Sequence, residues 1–381
     1  MVLSSKLCII SGYRIIEQIH QSNQTVIYKA VREKDRKPVV IKLMRKEYPT
    51  SQEIAQFRNQ YLLSKNLDIP SIVKSYSLEN YHKSYALIME DFGGIALSNE
   101  MKSWTFNGVR QSSNFIQSFL DISIKIVSAI DDLHRHQIIH KDIKPDNILI
   151  NPNTKEIKLT DFSISTILPR EVQFITNPNV LEGTLAYISP EQTGRMNRGI
   201  DYRTDYYSLG VTLFELLTGE LPFKNNNPLE LIYAHISQQL PIKKIINSNI
   251  TSTISDIICK LMEKNAEDRY QSAFGIKYDL ELCLHQLQNN QKIEPFELAT
   301  KDISDRFLIP DKLYGREVEI QELLAAFNRV INPSKHHLAK ENEVRKGVEI
   351  VFVKGYSGMG KTAVIDEIHK HILKDTGYII Y

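Results

Sequence analysis

Between two short apolar runs, Ile138-Ile139 and Ile148-Leu149-Ile150, the chain carries His140-Lys141-Asp142-Ile143-Lys144-Pro145-Asp146-Asn147. The apolar ends read as strands and the polar middle as a loop. Within that loop stand a carboxylate, then an amine two residues on, then a carboxamide three residues further. Phosphoryl transfer from ATP calls for such a set. Asp142 can orient a hydroxyl and accept its proton, Lys144 can offset charge on the moving phosphoryl group, and Asn147 can hold a magnesium ion. A charged surface turn would account for a lone His-x-Asp, but not for the whole string set against an apolar run.

These groups need a scaffold on either side. Residues 13–43 alternate apolar and polar, with β-branched runs at Val26-Ile27 and Val39-Val40-Ile41 and a polar turn at 34–38 between them, which predicts a meander of strands. A helix over about 51–67 should end at the Asp68-Ile69-Pro70 breaker, and strands near 73–78 and 85–90 should lead to a hinge at Gly93-Gly94. Apolar residues at helical spacing predict a helix over 115–134. A small β-rich part followed by a helical remainder is an α+β pattern with a cleft between. Past the loop, Asn151-Pro152-Asn153 should turn a strand at 157–160 back on itself and set Asp161 beside Asn147, giving two hard oxygens to one magnesium ion. Asp205 reads as the N-cap of a buried helix that begins with Tyr206.

Composition narrows the class. A length of 381 residues predicts two domains, and 42% hydrophobic with 24% charged residues is ordinary for a soluble globular protein. A net charge of +2 gives no case for a nucleic acid or an anionic membrane. Cys8, Cys259 and Cys283 lie far apart with no CxxC, so reduced thiols in a cytoplasmic protein are expected. The N-terminus lacks a signal-peptide pattern, Val2 excludes myristoylation, and the most apolar helical run, 206–217, is shorter than the roughly 20 residues that span a bilayer. Membrane insertion is not expected.

The HKDIKPDN string resembles the catalytic loop of the protein kinase family, with Lys144 as its serine/threonine-type variant. The resemblance implies a two-lobed fold over 12–287, with a β-rich N-lobe and a helical C-lobe, using ATP and Mg2+ on a protein Ser/Thr hydroxyl. It assigns Lys42 to the strand lysine that grips the phosphates and Asp161 to the second metal ligand, with Ser163 in the place of a glycine. Gln60 matches the helix position that pairs with the lysine, and can bond to it without charge; Glu53 reads as a surface residue. Thr184 would hydrogen-bond Asp142 and Lys144, Glu191 would pair with a buried Arg269, and Asp205 would brace the loop backbone. Met89 would guard the back of the adenine pocket, Glu90, Asp91 and Phe92 would form the hinge, and Ile27, Val40 and Leu149 would sandwich the base.

Two departures stand out. The place of the glycine-rich phosphate loop is held by residues 19–26, without a glycine; Ser22, Asn23 and Thr25 are small and polar, and weaker nucleotide binding is expected. His-Lys-Asp replaces His-Arg-Asp, and lysine lacks the rigid fork that grips a phosphorylated segment, so activity independent of activation-segment phosphorylation is expected.

A linker over 288–312 should precede a second unit, 313–381. There Tyr314-Gly315-Arg316-Glu317, an amphipathic helix to about 330 and a strand at 348–353 lead into Gly355-Tyr356-Ser357-Gly358-Met359-Gly360-Lys361-Thr362. This GxxxxGKT lets backbone wrap phosphates at Gly355 and Gly360, brings Lys361 onto them and offers Thr362 to magnesium. It resembles the opening of an AAA/STAND-type P-loop ATPase, an incomplete α/β segment with no hydrolytic activity expected of it. Its apolar sheet face should lack covering partners. The order of the two units resembles the N-terminal part of large bacterial hybrid sensors, implying downstream sensory and histidine-kinase modules and a truncated or split product. The rival reading is a nucleotide-binding pseudokinase serving as an interaction module, favoured by the glycine-free loop and Gln60. A small-molecule kinase is disfavoured by the Ser189-Pro190-Glu191 segment and the Lys144–Asn147 tetrad.

Overall fold

The strand period of two sorts β3 into two faces. In a computed structural model, which describes residues 10–22, 24–46, 48–65, 67–106, 114–167, 183–196, 198–241, 252–303, 315–331, 348–356, 361, 364 and 365, β1 (Tyr13–Gln21), β2 (Thr25–Arg32) and β3 (Pro38–Met44) form the expected meander. Val39, Ile41 and Leu43 turn one way, onto Ala30, Ala86 and Ile88. Val40 and Met44 turn the other way, where they meet Phe57, Leu87 and Met89. Lys42 shares that second face by the same alternation. The sheet is completed by β4 (Ser75–Tyr81) and β5 (Ser84–Glu90), in the order β1-β2-β3-β5-β4 with every pair antiparallel. Helix α1 (Ser51–Lys65) covers the second face and sends Phe57 and Gln60 into it.

After Gly93 the chain enters the helical lobe, through β6 (Ile95–Ala96) and α2 (Leu97–Phe106) to α3 (Phe115–Arg135). Phe119, Leu120, Ile126, Ile130 and Leu133 of α3 are fully buried, each contributing roughly 1.5–3 kcal/mol of apolar transfer. The strand pair β8 (Ile148–Ile150) and β9 (Ile157–Leu159) follows the short β7 (Ile138–Ile139), and β10 (Thr166–Ile167) pairs back onto β7. The loop of interest is thus pinned at both ends. Below it lie α4 (Arg203–Thr218), α5 (Pro228–Ser237), α6 (Ser252–Leu261) and α7 (Ala273–Asn290). Cys283 of α7 is buried and Cys259 of α6 half-buried; Cys8 lies outside the described residues. Among the described residues no helix is long and apolar enough to cross a membrane.

Three expectations need correction. Asp205 is not an N-cap: α4 starts at Arg203, so Asp205 lies inside the first turn and its carboxylate points elsewhere, while Asp201 Oδ1 accepts from Arg203 N–H at 2.8 Å. The stretch 291–303 is not a free linker. Ile293 is buried, Phe296, Leu298 and Ala299 pack on the large core, and Asp302 accepts from Ser272 N–H at 2.8 Å at the start of α7. Finally, 348–353 has no strand: these residues carry no regular secondary structure, and Val348, Ile350 and Phe352 are 74–89% exposed. A strand needs a neighbour to take its backbone hydrogen bonds. The amphipathic helix ahead of it does form, as α8 (Glu317–Ile331).

Candidate active site

Asp205 accounts for the shape of the loop. Its oxygens accept from the backbone N–H of His140 at 2.9 Å and of Lys141 at 2.8 Å, and His134 Nε2 lies 2.8 Å away. Lys141 adopts φ 67°, a conformation that needs such bracing in a residue with a side chain. His140 Nε2 lies 3.0 Å from Thr160 O, an acceptor, so Nε2 carries the proton and Nδ1 is left to accept Asp142 N–H at 3.3 Å. The bracing expected of Asp205 is present in this geometry.

Asp142 is held on both oxygens. Oδ1 accepts from Thr184 N–H at 3.0 Å; Oδ2 accepts from Lys144 Nζ at 2.6 Å and from Asn147 Nδ2 at 2.8 Å. Lys144 Nζ also donates to Thr184 Oγ1 at 2.5 Å. Thr184 therefore meets both expected partners, reaching Asp142 through its backbone rather than its hydroxyl. Asn147 spends its amide protons on Asp142, and among the described residues no donor reaches its Oδ1.

Across the cleft, Lys42 Nζ donates to Gln60 Oε1 at 2.9 Å and stands 3.0 Å from Asp161 Oδ1. The Asp161 contact is an ion pair, and among the described residues Lys42 is the one cation that close to Oδ1. Burial pushes the Asp161 carboxyl up, but the Lys42 cation and the Ser163 hydrogen bond outweigh it and hold the group at about 2. Asp161 has φ 66° and follows Thr160, whose N–H donates to Asn147 O at 3.0 Å. An ionised carboxylate and a carboxamide oxygen that line the same cavity are a donor set that fits a hard divalent cation.

Lys42, Lys144, Asn147 and Asp161 line one cavity of about 360 Å³, with Ile27 and Met89 on its wall. Val40, Leu149 and Phe92 do not line it; they pack beside Met89 in the adjoining apolar cluster. The Glu90 carboxylate turns away to accept from Lys158 Nζ at 2.8 Å. Glu53 bonds Lys46 and Thr50, but it is half-buried and lines the same cavity, which corrects its reading as a surface residue. Arg269 grips Glu191 in a fork, 2.6 and 2.8 Å, both side chains buried, as expected.

The β1–β2 connection is tight. Ser22 Oγ accepts from the N–H groups of Gln24 at 3.2 Å and Thr25 at 3.0 Å, so these two donors are spent on the turn's own hydroxyl. No sequence rule pointed to this, nor to Asn59, whose amide reaches three carbonyls past Asp161. In the second unit, Lys361 Nζ donates to Gly355 O at 3.0 Å and Tyr356 O at 2.8 Å; Gly360 and Thr362 lie outside the described residues, as does 168–182 of the activation segment.

A family model for the protein kinase domain matches residues 13–279. PrkC, a serine/threonine-protein kinase of Bacillus subtilis, is 34% identical over 301 residues, 77% of this chain and 44% of that protein. A probable serine/threonine-protein kinase of Clostridium perfringens is 32% identical over 272 residues, 71% of this chain and 38% of the relative. Hybrid signal transduction histidine kinase G of Dictyostelium discoideum is 30% identical over 352 residues, 70% of this chain but 10% of its own length. The chain thus spans less than half the length of these curated relatives.

Proposed function

The chain belongs to the protein kinase family, and from that premise we propose that it transfers the γ-phosphoryl group of ATP to Ser/Thr hydroxyls of a protein substrate. The observation that carries this reading is the arrival of Lys42, Lys144, Asn147 and Asp161 at one cavity, with Asp142 bonded to two of them. Magnesium-bound ATP would supply the phosphoryl group and the metal charge that offsets it. Asn147 and Asp161 would hold the metal, and Lys42 the inner phosphates. Asp142, aimed by three donors, would orient the acceptor hydroxyl and take its proton. Lys144 would stabilise charge on the moving group, with Thr184 holding Lys144 and Asp142 in register. Ile27 and Met89 would meet the base on the cavity wall, and Val40, Leu149 and the hinge at Glu90 and Phe92 would reach it only from the adjoining apolar cluster.

The test is phosphorylation of a generic protein substrate with Mg2+ and ATP, beside Asp142→Asn. The wild type should turn over, and the variant should lose on the order of 10²–10⁴-fold. Equal signal in both, or none in either, would refute the assignment.

The hydrogen bonds from Gln24 and Thr25 to Ser22 favour a second reading, a pseudokinase that binds nucleotide as an interaction module. ATP-induced thermal stabilisation without turnover would select it. We further infer a kinase domain over 12–287 and an ATPase-like segment over 313–381, where Gly355, Gly360, Lys361 and Thr362 would cradle a second nucleotide. The likeness to a hybrid histidine kinase supports a hybrid sensor, with sensory and histidine-kinase modules as partners and the cytoplasm as its place of action.

A further inference from the structure

Helix α1 meets the segment after Asp161 through one amide. Asn59 Nδ2 lies 3.2 Å from Phe162 O, 3.2 Å from Ser163 O and 2.9 Å from Ser165 O. Its two protons are shared among three carbonyls, all within four residues of Asp161. That stretch needs an external hold, because Asp161 sits at φ 66°, where residues with side chains seldom stay unaided. The hold extends onward: Ser165 Oγ donates to His140 O at 3.0 Å, and the Phe162 ring packs 5.1 Å from the His140 ring. Asn59 thus joins α1, the Asp161 segment and the loop bearing Asp142.

The next residue on the helix makes this arrangement consequential. Gln60 accepts one hydrogen bond from the Lys42 cation but carries no charge of its own, so the link from α1 to the lysine is weaker than an ion pair. We propose that Asn59 is a positioning residue that fixes α1 and the Asp161 segment in register, carrying the duty that a carboxylate at position 60 would otherwise share. The inference rests on the kinase reading for the role of Asp161, but its structural half does not. The link between lobes is then made by hydrogen bonds already in place, without a phosphate on the activation segment.

Asn59→Ala and Asn59→Asp, made in the full chain, test it. Both remove donors from the three carbonyls; the aspartate adds repulsion. The Mg2+ concentration for half-maximal phosphorylation should rise on the order of tenfold, because the variant must spend binding energy re-forming the Asp161 turn. Amide exchange over residues 162–165 should quicken by a similar factor, about tenfold, with or without turnover. Gln60→Glu, added to Asn59→Ala, should restore the Mg2+ requirement by giving Lys42 a charged partner. A lower kcat with an unchanged Mg2+ midpoint would mark Asn59 as a plain staple and overturn the proposal. Unchanged exchange at 162–165, or no rescue by Gln60→Glu, would also overturn it. A wild type without turnover refutes the kinase reading, and the exchange measurement then still decides whether Asn59 holds the segment.

Discussion

Lys42 stands between a neutral amide and a carboxylate, and its cation holds Asp161 ionised. Lys42→Met should leave the half-buried Asp161 without its nearest counter-charge and lower kcat/KM on the order of 10²-fold or more, measurable beside thermal unfolding to exclude a folding loss. A second titrating group lies in the helical lobe, on α5. His235 is fully buried, faces the Tyr207 hydroxyl at 3.0 Å and the Phe223 ring, and its carbonyl takes Lys264 Nζ at 2.9 Å. Burial, helped by the Lys264 cation, pushes it from 6.5 to about 3. Between those values the unfolded chain binds a proton that the folded protein refuses, so stability falls as pH drops from 6.5 toward 3 and is unaffected above. Denaturant unfolding of wild type and His235→Gln should show the gap between them change by about 2 kcal/mol from pH 7 to pH 5 in favour of the variant. Neither His235 nor Asn59 was legible in the sequence. Asp142, Lys144 and Asn147 were, because three chemically distinct side chains fell at fixed spacing inside one loop. An amide on a helix carries no such mark, and its role depends on which carbonyls the fold brings opposite.

At the scale of elements, period-two alternation and helical spacing gave β1 to β5 and α3 to within a few residues, since all but the mostly exposed β1 turn a face to the core. The pattern failed where a neighbour decides the outcome. Residues 348–353 have the composition of a strand, but composition cannot supply a pairing partner. Asp205 resembles a cap because capping and bracing use the same short carboxylate. Two packing contacts between elements can be tested directly. A Cβ on Gly210 of α4 would meet Met262 Cγ at 2.6 Å and Leu261 Cβ at 2.9 Å, at the C-terminal end of α6, so Gly210→Ala should overpack this contact and cost about 1–3 kcal/mol by denaturant unfolding. Burial raises and the Arg269 fork lowers the Glu191 carboxyl, with the lowering the stronger. Glu191→Gln or Arg269→Met alone should cost about 3–5 kcal/mol by leaving one charge buried and unpaired, and the double variant should cost less than the sum.

Across the whole molecule, the helical lobe does not end with its last helix. Past α7 the chain turns back, seats Ile293 in the core and reaches the start of the same helix, where Asp302 accepts from Gln271 N–H at 2.6 Å, Ser272 N–H at 2.8 Å and Ser272 Oγ at 2.6 Å. Ser272 Oγ in turn caps α7 by accepting from Gly275 N–H at 3.0 Å. A Cβ at Gly275 would lie 2.4 Å from Asp302, so the close approach depends on glycine there. Asp279 of α7 adds a further tie by accepting from Ala299 N–H at 2.8 Å. Polar composition suggested a linker from 288, because a strap that satisfies backbone donors with one aspartate looks like any hydrophilic stretch. A chain ending at 287 loses Asp302, Ile293 and the Asp279 contact, whereas one ending at 303 keeps all three. The shorter chain should therefore be less stable by about 2–4 kcal/mol, summing the lost Asp302 hydrogen bonds and a lost buried isoleucine. The loss should fall on α7 and the Arg269 region rather than on the sheet of the N-lobe, so amide exchange should quicken over 270–290 and stay unchanged over 38–44. Equal unfolding midpoints for the two chains would mean that the strap follows the fold without supporting it. Asp302→Ala in the full chain separates these hydrogen bonds from the rest, and should reproduce about 1 kcal/mol of the loss.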